Sequence, residues 1–178
     1  MRSLFAAAAA LAILAAAPAA TAQSRLNPDQ APAPIPTTAM AYVTEAAQSD
    51  LYERESSKLQ MARGSSAELK AFAQHMIQEH TQTSETLMAA LPAAGLQPPP
   101  MSPDKKRQAL LDALTQTNGG SKEMDDRYKA QQMQAHQEAL ALHRNYAEKG
   151  DNAALRQVAA ATVPRIEHHL KMLQNVKR

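Results

Sequence analysis

The segment after Gly150 has the residue spacing that most restricts the fold of this 178-residue chain. Its core-type residues recur at alternating intervals of four and three, which places them on one face of an α-helix. These positions are Leu155, Ala159, Thr162, Ile166, His169, Leu173 and Val176. The pattern predicts a packed helix that carries a histidine on its buried face.

Three further long segments of the same kind precede this one, and glycine and proline residues separate them. They are rich in Ala, Leu, Met, Gln and Glu, which favour helices, and their β-branched residues never alternate. The sequence therefore predicts an all-α fold. The expected long helices cover residues 38–63, 66–91, 121–149 and 151–177, and a short helix covers residues 103–117.

Local signals support these helix boundaries. A capping box over residues 65–68 starts the second long helix, Ser102 is the expected cap of the short helix, and Asp151 that of the last helix. Pro164 lies inside the last helix and removes a backbone hydrogen bond, so we expect a kink or a brief break there.

The lengths of the connections indicate how the helices are arranged. Tight turns at Gly64 and Gly150 each predict an antiparallel hairpin, whereas the connection over residues 92–120 is long. A helix of about 26 residues is roughly 39 Å long, so this connection can cross the full length of a bundle. Two hairpins joined by a long crossover are typical of a ferritin-like four-helix bundle, here with the short helix in the crossover.

The N-terminal residues have the pattern of a secretion signal. Arg2 precedes an apolar run over residues 4–17, and Ala20-Thr21-Ala22 fits a cleavage site, so residues 1–22 form the expected signal. The run is shorter than the roughly 20 residues that span a bilayer. Residues 23–37 contain four prolines and predict a flexible leader before a bundle over 38–177. We expect an exported, periplasmic protein, with association with the envelope or an uncleaved anchor as alternatives.

Composition excludes several functions. The chain has no cysteine, so disulfides, thiolate metal sites and cysteine nucleophiles are impossible. Its 19 basic and 17 acidic residues nearly balance, which argues against a nucleic-acid partner. No transmembrane span is expected after signal cleavage. A homo-oligomer and an envelope partner both remain open.

Three histidines and a glutamate fall on inward positions near the middle of the predicted helices. His80, His136 and His169 lie on the apolar faces of three different helices. On the first helix the inward carboxylate is Glu53 or Glu55, and periodicity slightly favours Glu55. Because burying four such groups is costly without partners, the sequence predicts a polar layer with a metal ion or an internal hydrogen-bond network.

Several ordered segments resemble one family of proteins. The segments are residues 49–57, 72–81, 125–140, 150–151 and 163–170. Over about residues 39–175 the chain resembles secreted bacterial ferritin-like proteins of unknown function, often labelled membrane or outer-membrane proteins. The resemblance implies that Glu53, His80, His136 and His169 are the characteristic residues, with Asp125 and Tyr128 nearby. The chain departs from the family pattern at Glu79 and Met124.

The first functional hypothesis is a mononuclear metal site formed by Glu53, His80, His136 and His169. The expected ion is Zn²⁺, Fe²⁺ or Mn²⁺. Candidates for the second shell or the rim of the site are Glu79, Tyr128, Asp125 and His143. Copper is less favoured, because the methionines that neighbour histidines, Met76, Met133 and Met172, are better explained as core fillers.

The second hypothesis is a bundle without metal, in which the same side chains form a structural network and the surface binds an envelope-stress or other partner. The sequence does not favour an enzyme. It has no Glu-x-x-His pair for a di-iron site and no Gly-x-Ser-x-Gly motif for a hydrolase.

Overall fold

The computed structural model describes residues 34–176, and this part of the chain is helical, with no strand. The predicted all-α class is confirmed. The predicted signal, most of the leader and residue 177 lie outside the described residues. The helices are α1 (Ala39–Arg63), α2 (Ala67–Ala94), α3 (Lys105–Gln116), α4 (Lys122–Lys149) and α5 (Ala153–Asn175).

Two helix starts differ from the predicted ones because another side chain supplies the cap. The Asp104 carboxylate, not the Ser102 hydroxyl, accepts from the first turn of α3, at 2.8 Å from the Arg107 nitrogen. Asn152, not Asp151, caps α5. Asp151 is used differently, since its carboxylate accepts from the Tyr146 hydroxyl at 3.0 Å.

The two prolines inside helices do not end them. α2 continues through Pro92 to Ala94, beyond the predicted end at residue 91, and stops at Gly95, whose φ of 70° is left-handed. α5 is one continuous helix from Ala153 to Asn175 and contains Pro164, so of the two predicted alternatives the break does not occur and the kink stays a prediction.

Two separate apolar clusters show in which direction the helices run. The first cluster joins the start of α1, the end of α2, the end of α4 and the start of α5, through residues that include Tyr42, Leu91, Tyr146 and Leu155. The second cluster joins the opposite ends of these helices, through residues that include Leu69, Met124, Tyr128 and Leu173. α1 and α5 therefore run in one direction and α2 and α4 in the other.

The connection between α2 and α4 follows from these directions. α2 ends at the first apolar cluster and α4 starts at the second, so the chain has to travel the length of the helices between them. α3 lies on this path and packs against α1 and α4. The buried guanidinium of Arg107 on α3 reaches Glu45 on α1, at 2.5 Å from its Oε1.

A buried polar layer separates the two apolar clusters. Its members come from all four long helices: Ser49, Asp50, Glu53, Ser56, His80, Ser84, Gln132, His136 and His169. Each long helix packs against two others, α1 on α2 and α4, and α5 on α4 and α2, so these side chains project into a shared interior. Within residues 34–176, no helix combines the length and apolar character that a bilayer crossing needs.

Candidate metal centre

Three imidazoles from three helices meet in the polar layer. One nitrogen from each of His80, His136 and His169 lies within 4.8 Å of the other two. The closest pair is His136 Nε2 and His169 Nδ1, at 3.3 Å. All three side chains are buried, with exposures of 6%, 1% and 2%. Neutral imidazole is the commonest metal ligand in proteins, so this geometry is that of a candidate metal centre.

His80 is held in one orientation by a carboxylate. Its Nδ1 lies 2.8 Å from Asp50 Oδ1, and the hydroxyls of Thr83 and Ser84 each donate to Asp50 Oδ2 at 3.0 Å. Nε2 of His80 is buried and has no hydrogen-bond partner among the described residues. A carboxylate behind a histidine with a free second nitrogen is the usual arrangement around protein metal ligands.

His136 is fixed by the backbone of its own helix. Its Nδ1 donates to the Gln132 carbonyl oxygen at 2.9 Å, which leaves the lone pair of Nε2 facing His169. A carbonyl that binds the outer nitrogen sets the tautomer of the ring. His80 and His136 thus each have one ring nitrogen fixed by a hydrogen bond and the other available to bind a metal ion.

Glu53 lies next to this cluster but not in it. Its Oε1 is 3.4 Å from His136 Nδ1, and both carboxylate oxygens are buried without a hydrogen-bond partner among residues 34–176. Its oxygens are not part of the group of ligand atoms within 4.8 Å. Glu55 is only partly buried and pairs with Lys58 at 2.8 Å. The structure therefore identifies Glu53 as the inward carboxylate, against the slight preference of periodicity for Glu55.

Burial sets the protonation states in the layer. It lowers the pKa of His136 to about 3 and that of His169 to about 2, with the nearby His80 acting in the same direction. It also acts to lower the pKa of His80, but the hydrogen bond and charge of Asp50 outweigh it and raise that pKa. Burial raises the pKa of Glu53 to about 7. At neutral pH His136 and His169 are therefore neutral, which is the form that binds metal.

The other predicted neighbours of the site are spread over the molecule. Tyr128 is buried and shares a 2.8 Å hydrogen bond with the hydroxyl of Ser57, in the second apolar cluster. His143 lies at the first cluster, where its Nδ1 is 3.0 Å from the Tyr42 hydroxyl. Glu79 is at the rim, with Oε2 4.0 Å from His169 Nε2.

Asp125 serves the turn between α1 and α2, and its placement in the second shell is corrected. Its carboxylate accepts from the backbone nitrogens of Ser65 and Ser66, at 3.0 and 2.9 Å, from the Ser65 hydroxyl, and from Gln60 Nε2 at 2.7 Å. His143 is likewise engaged elsewhere. The partners of Asp125 and His143 come from other helices, which the periodicity of one helix does not reveal.

Asp50 is the functional residue that sequence reasoning missed. It precedes Glu53 by three residues, so both carboxylates lie on the same face of α1. That spacing was a usable signal. The hydrogen bonds from Thr83 and Ser84 could not be foreseen, because they join residues of α2 to α1 across the interior.

Comparison with known proteins places the chain in a family. Fold and site together define an all-helical protein with a buried cluster of three histidines. The family model described as "Domain of unknown function (DUF4142)" matches residues 14–176, so the chain belongs to this family. Neither the curated proteins nor the solved structures contain a match.

Proposed function

We propose that this chain is an exported ferritin-like four-helix bundle that binds one divalent metal ion in its interior. The ferritin-like arrangement is supported by the two hairpins α1–α2 and α4–α5, by the parallel course of α2 and α4, and by the long connection that joins them. The ion is held by His80, His136 and His169, with Glu53 beside them.

The observation that carries this proposal is the convergence of three imidazole nitrogens within 4.8 Å. In a tetrahedral complex with metal–nitrogen bonds of 2.0–2.1 Å, two nitrogens stand about 3.4 Å apart. His136 Nε2 and His169 Nδ1 are 3.3 Å apart, which already matches this value. His80 Nε2 completes the set, and its lack of a hydrogen-bond partner leaves it free for an ion.

The charges around the cluster suit a divalent cation. The three imidazoles are neutral when they bind, whereas Asp50 and Glu53 can supply two negative charges next to them. A buried 2+ charge with two carboxylates is compensated, while two buried carboxylates alone are costly. This balance also explains why a carboxylate as deeply buried as Glu53, at 1% exposure, has no hydrogen-bond donor within residues 34–176.

The ligand types favour Zn²⁺, Fe²⁺ or Mn²⁺ over copper. Three imidazoles with a free fourth position are typical of zinc, and imidazole with carboxylate also suits iron and manganese. Copper would be favoured by thioether sulfur in the ligand set. Met76, Met133 and Met172 instead pack in the second apolar cluster, where they fill space between α2, α4 and α5.

The test is metal analysis of untagged protein purified without chelators. We expect one ion per chain, and after stripping with EDTA we expect one of Zn²⁺, Fe²⁺ or Mn²⁺ to raise the melting temperature. At 100 times the Kd the ion would add about 2.7 kcal/mol to the free energy of unfolding. His80→Ala should lose the ion, whereas His143→Asn, a buried histidine outside the centre, should keep it. Protein that gains no stability with any first-row ion would contradict the proposal.

A second candidate function is a bundle without metal, whose surface binds a partner in the cell envelope. It is favoured by the hydrogen bonds that His80 and His136 already make to Asp50 and the Gln132 carbonyl. In that case His80→Ala lowers stability equally with and without added ions. For the metal centre, the loss is larger when the ion is present.

Export is part of the proposal and rests on residues 1–22. The expected mature protein starts at Gln23 and is found in the periplasm. N-terminal sequencing of the protein from a periplasmic extract checks this. A chain that retains Met1 in the membrane fraction would show that the segment is an anchor.

A further inference from the structure

A surface cleft between α2 and α5 borders the buried histidine cluster at His169. It has a volume of about 380 Å³, and its lining residues are His75, Glu79, Ala161, Pro164, Arg165, His168 and His169. His169 therefore belongs both to the cleft and to the cluster. We propose that this cleft is the route by which the metal ion reaches the centre, with His75, Glu79 and His168 as transient ligands. This inference rests on the proposed function.

The two nitrogens of His169 face different surroundings. Nδ1 lies 3.3 Å from His136 Nε2, inside the cluster, whereas Nε2 lies 4.0 Å from Glu79 Oε2, on the cleft side. A single imidazole thus separates the buried nitrogens from the cleft. Rotation of this ring about its side-chain bonds is a small movement compared with the separation of two packed helices. His169 is therefore the residue that an incoming ion meets as it passes from the cleft to the other two histidines.

The cleft has the ligands that a cation needs before it reaches the interior. The ring of His75 packs against that of His169, with centroids 5.6 Å apart, and the exposed ring of His168 lies 6.4 Å from it. Glu79 adds a carboxylate. Nitrogen and carboxylate donors at the mouth can replace the waters of the ion one by one, so that the ion never enters the dry interior without ligands.

The cleft is also large enough for a hydrated ion. One water takes about 30 Å³ of liquid volume, so an ion with six waters needs about 200 Å³. The cleft offers about 380 Å³. A cavity between α1, α3 and α4, lined by residues that include Tyr52, Arg107 and Gln131, has a volume of only about 10 Å³. That cavity holds no more than a single water.

Arg165 gives the mouth of the cleft a positive charge that opposes entry. Its Nη1 lies 3.1 Å from Glu79 Oε2 and 2.8 Å from Gln82 Oε1. An arriving cation has to compete with this guanidinium for the Glu79 carboxylate. Removing the arginine should therefore speed loading, while removing the transient ligands should slow it. These opposite directions separate a route from a general loss of structure.

The test is stopped-flow loading of EDTA-stripped, untagged chain with Co²⁺, followed by its visible absorption. In the His75→Ala/His168→Ala variant the association rate constant should fall about tenfold, and in Arg165→Gln it should rise a few-fold. Because a route changes the barrier in both directions, the dissociation rate should fall with the association rate, leaving the Kd within about twofold. Glu79→Gln should slow loading, whereas Glu85→Gln, an exposed carboxylate on the same helix, should not.

Three results would overturn the route. Unchanged rates in the double variant and in Arg165→Gln mean that the ion enters elsewhere. A weaker Kd in the double variant means that His75 and His168 bind the resident ion. A wild-type chain that takes up none of Co²⁺, Zn²⁺, Fe²⁺ and Mn²⁺ removes the proposed function and the route together, and is recognised by its missing equilibrium signal.

Discussion

At the scale of single residues, a short carboxylate–histidine contact explains the orientation of the candidate ligand on α2. Asp50 accepts from His80 Nδ1 at 2.8 Å and is itself held by Thr83 and Ser84. The carboxylate thereby fixes the His80 ring, whose Nε2 is buried without a hydrogen-bond partner among residues 34–176. Its buried position on α1 makes the proposed site depend on a residue that would not touch the ion.

Asp50→Asn should weaken metal binding without removing the ligands. Replacing a carboxylate behind a metal-binding histidine typically costs 10–100-fold in affinity. We expect the Kd for Zn²⁺ to rise by about tenfold or more, measured by competition with a chelator of known affinity. Glu55→Gln changes a partly exposed carboxylate on the same helix and should leave the Kd unchanged. Equal affinities for Asp50→Asn and the wild type would show that Asp50 plays no part in binding.

His143 makes stability depend on pH independently of the centre. Burial lowers its pKa to about 4, whereas an unfolded histidine titrates near 6.5. Below pH 6.5 the unfolded chain takes up a proton that the folded chain does not, so the free energy of unfolding falls as the pH drops from 6.5 to 4. The contribution of this group is about 2–3 kcal/mol over that range.

Urea denaturation in EDTA at several pH values measures this effect. His143→Asn should have a shallower pH dependence than the wild type, by up to about 1.4 kcal/mol per pH unit. Tyr42→Phe removes the 3.0 Å hydrogen bond but keeps the histidine, so it should be less stable with an unchanged slope. Parallel curves for His143→Asn and the wild type would contradict this account.

At the scale of the elements, side chains from distant segments decide the details that periodicity leaves open. The capping box predicted over residues 65–68 starts one residue too early, because the cap of α2 is Ser66. The helices themselves could be predicted, because their signals lie within a few residues of each other. The choice between Ser102 and Asp104 could not, since both precede good helical segments. The choice of Glu53 or Glu55 as the inward carboxylate was also ambiguous, because α1 has small residues on one face and leucines on another. Only packing against α4 decides between them.

The turn between α1 and α2 depends on Asp125 of α4. Burial acts to raise the pKa of Asp125, but the hydrogen bonds from Ser65 and Gln60 outweigh it and hold that pKa below its usual value. The carboxylate therefore contributes stability above about pH 4, which is lost as the pH falls through its lowered folded pKa.

Asp125→Asn should lower the free energy of unfolding at pH 7 by about 2 kcal/mol. Asparagine keeps only one acceptor oxygen, so its amide nitrogen faces either the Ser65 nitrogen or the Ser66 nitrogen, and at least one backbone donor loses its acceptor. Urea denaturation measures the change. Glu123→Gln alters an exposed ion pair in the same first turn of α4 and should cost no more than about 0.5 kcal/mol. A loss of similar size in both variants would refute the role of Asp125.

At the scale of the whole molecule, a buried arginine helps to fasten the connection between α2 and α4 to the long helices. Arg107 is 8% exposed and binds Glu45 of α1 at 2.5 Å, and also its own cap residue Asp104. The length of residues 92–120 was enough to predict that this connection runs along the long helices. Its path over α1 and α4 was not, because a sequence does not show which groove a crossover fills.

Arg107→Met should destabilise the protein by about 1–2 kcal/mol, a value reduced because Glu45 and Asp104 are partly exposed. Thermal unfolding checks this. The neighbouring Lys106 makes an exposed pair with Glu138 at 2.6 Å, so Lys106→Met should change stability by no more than about 0.5 kcal/mol. Equal effects of the two substitutions would mean that the arginine does not fasten the crossover.

Because the polar layer lies between the two apolar clusters, we expect the middle of the long helices to open more easily than their ends. Helices normally fray from their termini, but here the apolar contacts are concentrated there and the middle contains the histidines and carboxylates. Without an ion, backbone amides around His80 and His136 should exchange with deuterium sooner than those near Tyr42 or Tyr128. A bound ion would reverse that order, so that the amides in the middle of the helices would exchange more slowly than those near the ends.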